Sequence, residues 1–164
     1  MKAKIVIVDE KDNVVGHKNR ELAKQEDLYR VSALWITNSK EEILLARRAL
    51  TKSHDPGKWG PAVAGTVDEG EDYFGNILKE AEEEIGLKNI KPTAEPKLRV
   101  SGEHNYFCQW YLLEIDKPID EFIIDRGEVE QIRWFPKEEL LKEIQNNPND
   151  FLKTMKRWVG LFCK

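Results

Sequence analysis

Apolar and polar positions along this chain predict strands through its first half and centre, one central helix, and helices at its end. Ala3–Asp9 is an apolar run, Lys11-Asp12-Asn13 a turn and Val14-Val15 its return, which together predict a hairpin. Glu21–Asp27 is polar and predicts a short helix or loop. Val31–Thr37 and Ile43–Arg48 predict strands about a turn at Asn38-Ser39-Lys40. Ser53–Trp59, punctuated by Pro56-Gly57, predicts a loop, and Ala62–Val67 leads into the central helix. Lys91–Pro96, with two prolines, predicts a loop, followed by strands at Lys97–Ser101, Tyr106–Ile115 and Glu130–Phe135, with Lys117–Glu121 as a connection. Pro136 opens a helix running to about Gln145; Asn146-Asn147-Pro148-Asn149 breaks it before a final amphipathic helix, Phe151–Phe162.

The central helix carries the strongest signal. From Tyr73 to Ile85 the apolar residues Phe74, Ile77, Leu78, Ala81 and Ile85 recur at helical spacing, and Gly86 follows as a stop. At ~100° per residue they fall in one arc roughly 100° wide, which predicts the buried face. Glu80, Glu83 and Glu84 fall in an adjacent arc, because residues three and four apart share a face, and Glu82 points away. Three carboxylates on one face repel, each like-charged pair costing on the order of 0.2–0.5 kcal/mol, and the last two also face the negative end of the helix dipole. A helix selected for stability alone would place lysine there. A divalent cation reverses both signs, since Mg²⁺ takes oxygen ligands and is commonly shared between carboxylates and substrate phosphates. The competing reading is a solvated acidic face, which describes most glutamate runs.

The surroundings favour the cation. Gly65, Glu71, Glu80, Glu83, Glu84 and Gly86, followed by Leu87, resemble the Nudix box: glycine, five residues, glutamate, seven residues, then Arg-Glu-aliphatic-any-Glu-Glu-any-Gly-aliphatic. One fixed position departs, with Lys79 standing where the family has arginine. The resemblance extends to Arg47-Arg48-Ala49-Leu50-Thr51-Lys52, Pro56-Gly57-Lys58-Trp59, Ile5-Val6-Ile7-Val8-Asp9-Glu10 and Glu128–Phe135, which are similar to the branch containing isopentenyl-diphosphate isomerases and their hydrolase relatives. It covers about residues 3 to 140. It implies an α/β fold, a Nudix-type α/β/α sandwich with a mixed sheet and a loop-helix-loop catalytic motif at residues 65–87. It implies a hydrolase of diphosphate linkages that uses Mg²⁺, with Mn²⁺ as an alternative. Glu80, Glu83 and Glu84 are then the metal ligands, and Glu83 and Glu84 the candidate catalytic residues, while Glu71 supports the helix or metal shell. Lys79 takes the place of an arginine that orients the carboxylates, which a single ammonium cannot do bidentately. An acid from the late strand, Glu128 or Glu130, is a candidate to complete the metal shell or act as base. Gly65, Arg47, Arg48 and Trp59 are candidate substrate contacts.

Composition sets the frame. The 164 residues predict one domain burying about 70% of its unfolded surface, with C-terminal helices over about 136–162. An apolar share of 40% supplies a core, and the net charge of −4 gives no footprint for duplex nucleic acid. An anionic substrate must therefore be attracted locally. Cys108 and Cys163 have no paired spacing and read as reduced thiols; with no apolar leader or long apolar run, a cytoplasmic protein without a membrane span is expected. The partner implied is a small-molecule diphosphate; homodimers are common in the family, with the Tyr106–Ile115 strand or the final helix as a possible interface.

Other residues are weighed against plain structural roles. Arg47 and Arg48 alternate faces at a strand end, so only one enters a given cleft, and the alternative for either is a surface cation. Trp59 either stacks on a ring or plugs the core under its loop. Lys52 and Lys58 read as solvated, and His54 and His104 as loop residues. Two further functions compete with hydrolysis. The isomerase is disfavoured because Ala64 falls where it carries its catalytic Cys, and Leu22, Tyr29 and Thr66 where it carries metal-binding His. A non-catalytic nucleotide-binding module is kept open by Lys79 and opposed by the intact glutamate cluster.

Overall fold

A computed structural model describes residues 3 to 164. In chain order these form strands β1 (Lys4–Val8), β2 (Val14–Asn19), β3 (Leu28–Thr37), β4 (Glu42–Arg48), β5 (Trp59–Pro61) and β6 (Val63–Thr66). Helix α1 (Tyr73–Ile85) follows, then β7 (Thr93–Val100), β8 (Asn105–Glu114) and β9 (Val129–Pro136), and finally α2 (Lys137–Asn146) and α3 (Met155–Phe162).

The spine is β3. It sends Leu34 and Ile36 to one face and Ala33 and Trp35 to the other, so it must lie inside a sheet covered on both sides. Along one edge it runs parallel to β8 over its full length; along the other it meets β1, β6 and β4 in turn, all antiparallel. β2 completes a hairpin with β1, β7 borders β8, and β4 is flanked by β5 and β9. The sheet is therefore mixed, and helices cover both faces. Ile77, Ala81 and Ile85 of α1 pack on Leu34, Ile36 and Ile132. Leu140 of α2 and Met155 and Trp158 of α3 pack on Trp35, Leu45 and Phe135 of the opposite face. Each such aliphatic side chain contributes about 1.5–3 kcal/mol on burial. The result is the α/β/α sandwich.

Several elements differ from their sequence pattern. Trp59–Pro61 is a short strand, not the end of a loop, because β4 supplies its hydrogen bonds. β7 begins inside the two-proline stretch, with Pro96 at a register shift of an edge strand where its missing N–H costs little. β3 starts at Leu28, ahead of the apolar run, because β8 pairs with it from Asn105 onward. The final helix starts late: Pro148–Asp150 is a single 3₁₀ turn, and Leu152 donates its N–H to Trp59 O (2.9 Å) instead of entering a helix. β8 lies between β3 and β7, so its backbone edges are both used within the chain.

Candidate active site

Helix α1 keeps its expected span, with Asp72 accepting from the Gly75 amide at its start and Gly86 in the left-handed conformation (φ 72°) at its end. Its orientation about its own axis is not the expected one. Phe74 is 45% exposed, whereas Asn76 is fully buried and the Glu80 side chain is only 17% exposed. The inward face is thus turned by roughly 60° from the apolar arc, toward the carboxylates. Glu80 and Glu84 face the sheet while Glu83 stays exposed to solvent beside Glu82.

Gly65 explains how a carboxylate fits there. A Cβ at that position of β6 would lie 2.5 Å from Glu80 Cγ and 2.7 Å from Cδ, so only glycine leaves room for the side chain above the strand. Glu84 lies one turn further than Glu80 along the same inward face of the helix. Burial raises the pKa of both, and in Glu84 the charges of Glu80 and Glu128 add to it, pushing the group up to about 9 against the pull of Lys52. The loop before the helix is equally constrained. Glu71 Oε1 accepts from the Asp68 amide (2.9 Å) and from Asn76 Nδ2 (3.2 Å), and its Oε2 lies 2.8 Å from Lys79 Nζ. Burial works to raise the Glu71 pKa, but these donors hold it below the ordinary value. Lys79 also reaches Asp68 (3.4 Å) and Glu80 (3.8 Å), so one ammonium serves three carboxylates.

The other end of the helix brings in the late acid. The amides of Ile123 and Asp125 donate to the carbonyls of Ile85 (3.2 Å) and Glu84 (2.9 Å), which docks the segment before β9 on the helix terminus. Glu128 follows at its end, 44% exposed, with Oε2 2.6 Å from Lys52 Nζ. Glu130 instead lines a separate recess with Phe122, Ile124 and Ile132. Arg47 Nε donates to Gly57 O (2.9 Å) and Arg48 Nε to His54 O (3.0 Å), so both guanidinium groups brace the loop between β4 and β5. Trp59 stands edge-on to Phe135, with ring centroids 5.1 Å apart, against the core under α2 and α3. The loop histidines His54 and His104 approach edge to face at 5.9 Å.

As they stand, no three His, Cys, Asp or Glu side chains among the described residues are gathered closely enough to hold an ion. Glu80 and Glu84 are the convergent pair, and Glu83 turning inward or Glu128 leaving Lys52 would supply a third donor. An all-oxygen set with a buried repulsion to relieve suits a hard divalent cation.

The NUDIX domain family matches residues 28–155, which is most of the chain. The chain belongs to the Nudix family. An uncharacterised Nudix hydrolase of Yersinia pestis is 28% identical over 154 residues, 93% of this chain and 84% of that protein. The isopentenyl-diphosphate Delta-isomerase 1 of Photorhabdus laumondii is 29% identical over 126 residues, 71% of this chain and 72% of its own. Among solved structures, the DR0079 protein of Deinococcus radiodurans superposes with a TM-score of 0.76 at 25% identity, covering 88% of this chain and 90% of that one. This protein is therefore a Nudix hydrolase.

The position where an isomerase would need its thiol is Ala64 on β6, and neither cysteine stands near it in sequence. Cys108 is buried in β8 under the α2/α3 face, where burial pushes its thiol up. Two residues in contact with these carboxylates carry no mark in the sequence: Asn76, which donates to Glu71, and Lys52, which pairs with Glu128. Asn76 lies off the apolar arc and carries no charge, so nothing in the pattern marked it. Lys52 has the loop setting of a solvated lysine, and only the docking of the 123–128 segment gives it a partner. No helix among the described residues is long and apolar enough to cross a membrane.

Proposed function

We propose that this Nudix hydrolase cleaves a diphosphate linkage in a nucleoside diphosphate-X or related organic diphosphate, with Mg²⁺ as its cofactor. The observation that supports this best is Glu80 held over Gly65, with Glu84 one turn further along the same inward face and burial raising the pKa of both. Glu80 and Glu84, with Glu83 or Glu128, would hold the cation. When bound, it supplies charge neutralisation at phosphate oxygens and acidifies a coordinated water.

The chain's own residues have separable tasks. Gly65 and Asn76 fix the height and position of Glu80 over β6. Lys79 balances the charge of Glu71 and Glu80 and keeps the box loop closed on the helix. Glu83 and Glu128 are the carboxylates of the cluster open to water, and one of them takes the proton of the attacking water. Lys52, freed from Glu128, stands at the mouth of the cluster as a cation for a phosphate oxygen. Arg47 and Arg48 shape the loop that carries Lys52.

The test is release of phosphate or pyrophosphate from a panel of diphosphate compounds, with and without Mg²⁺, alongside Glu84→Gln. Metal-dependent release in the parent that falls by roughly 100-fold or more in the variant is expected. Tight binding of a nucleotide with no metal-dependent release would instead assign a binding module.

A further inference from the structure

Glu71 is gripped at its two oxygens by two different residues of the helix that follows it. Lys79 Nζ sits 2.8 Å from Oε2, and Asn76 Nδ2 donates to Oε1 at 3.2 Å beside the Asp68 amide at 2.9 Å. An ammonium is a point donor and cannot present two parallel N–H groups to one carboxylate, as a guanidinium does. Lys79 is further divided among Asp68 and Glu80. The second oxygen thus falls to Asn76.

Asn76 is an unusual occupant of its position. It is fully buried in α1, where the neighbouring inward residues are Ile77 and Ala81, so any amide group left unpaired there would be destabilising. Every bonding group is used. Its Oδ1 accepts from the Ser32 hydroxyl of β3, and Nδ2 is split between Glu71 and Thr66 O at 3.1 Å. Thr66 directly follows Gly65, the residue whose missing side chain admits Glu80. One amide therefore ties together the strand beneath Glu80, the loop carboxylate and the helix.

We propose that Asn76 is a positioning residue of the active site: with Lys79 it divides between two side chains the two-pronged grip that one arginine would give Glu71, and so holds the box loop and the strand under Glu80 in register. The proposal rests on the hydrolase reading for its kinetic readout only.

A double-mutant cycle on the full chain decides it, using Asn76→Ala, Lys79→Arg and the pair together. Each is measured for kcat and KM of Mg²⁺-dependent diphosphate release and, separately, for thermal midpoint in chelator, which needs no substrate. Asn76→Ala is expected to lower kcat about 10-fold with KM nearly unchanged, since it displaces a catalytic group and not a substrate contact. Adding Lys79→Arg is expected to restore most of the lost kcat and part of the lost midpoint, because the fork reaches the oxygen that the amide released. An additive cycle in both readouts, or a normal kcat in Asn76→Ala, overturns the proposal. If Asn76→Ala is insoluble, Asn76→Ser takes its place; it keeps a hydroxyl toward Ser32 and is too short to reach Glu71. If the parent itself turns nothing over, the hydrolase reading fails, and the midpoint cycle still decides whether the two side chains share one grip.

Discussion

Replacing Glu84 with glutamine should make the metal-free protein more stable, by an amount that grows as pH rises from about 4.5 toward 9. Glu84 faces the sheet beside Glu80, and burial, the Glu80 charge and the Glu128 charge together push it from the ordinary 4.5 up to about 9. A carboxyl whose folded pKa is raised gives its full stability below pH 4.5 and loses it progressively as pH climbs toward 9. Each pH unit inside that window costs up to about 1.4 kcal/mol for one group, so the change from pH 5 to pH 8 has a ceiling of about 4 kcal/mol. Relaxation of the partly open cluster lowers this, and about 1–3 kcal/mol is the working expectation. Glutamine has the shape of the protonated acid but cannot ionise. For a domain of this size 1 kcal/mol moves the thermal midpoint by about 2–4 °C. In chelator, Glu84→Gln should therefore melt several degrees above the parent at pH 8 and level with it at pH 5. Saturating Mg²⁺ should raise the parent at pH 8 and move the variant much less. Equal midpoints at pH 8, or a difference that does not change with pH, would show that Glu84 is not held in a charge-repelling site.

The remaining expectations follow from other contacts. Gly65→Ala would place a Cβ 2.5 Å from Glu80 Cγ, so kcat should fall by roughly 100-fold while stability drops only about 1–3 kcal/mol; a folded variant with normal turnover would show that Glu80 need not sit where it does. Asp12 is 7% exposed and bound by Arg30 Nε (2.8 Å), Lys97 Nζ (2.5 Å) and Tyr73 OH (2.9 Å). Burial works to raise its pKa, but those donors keep it below the ordinary 3.8, so its stabilisation holds above pH 3.8 and disappears as pH falls further. Asp12→Asn should cost about 2 kcal/mol at pH 7 by denaturant titration and nothing near pH 2, and a loss that persists in acid would contradict this.

How much of this was legible in the chain differs from element to element. The span of α1 was, because an N-cap aspartate, a helical apolar period and a terminal glycine agree on it. Its rotation was not. Phe74 counts as apolar in any periodicity, yet it ends up half in solvent, while Asn76 is buried because Ser32, Thr66 and Glu71 lie within reach of its amide. Those partners come from three other parts of the chain, and spacing within one helix cannot report them. The same holds for Glu128, whose place beside Glu84 depends on backbone bonds from residues 123 and 125 to the end of the helix. The proline-bearing start of β7 and the three-residue β5 were hidden for a simpler reason: each is a strand only because a neighbour pairs with it. Arg47 and Arg48 fit a phosphate contact or a surface cation equally well from their place at a strand end, and the carbonyls that hold them belong to a loop whose path no pattern encodes.

The parallel pairing of β3 with β8 carries a kinetic consequence. Leu28 lies opposite Asn105 and Thr37 opposite Glu114, so the chain must close a long loop, including all of α1, before its central ladder can form. Closure of that kind carries its entropy loss first and gains its contacts afterwards, which slows folding relative to local hairpins. The hairpin of β1 and β2 and the helix α1 can form early, but Gly65 meets Glu80 over a finished sheet only after residues beyond 105 have joined. A nascent chain released before β8 would therefore carry all of residues 65–87 without the β3–β8 ladder of the sheet on which Glu80 sits over Gly65.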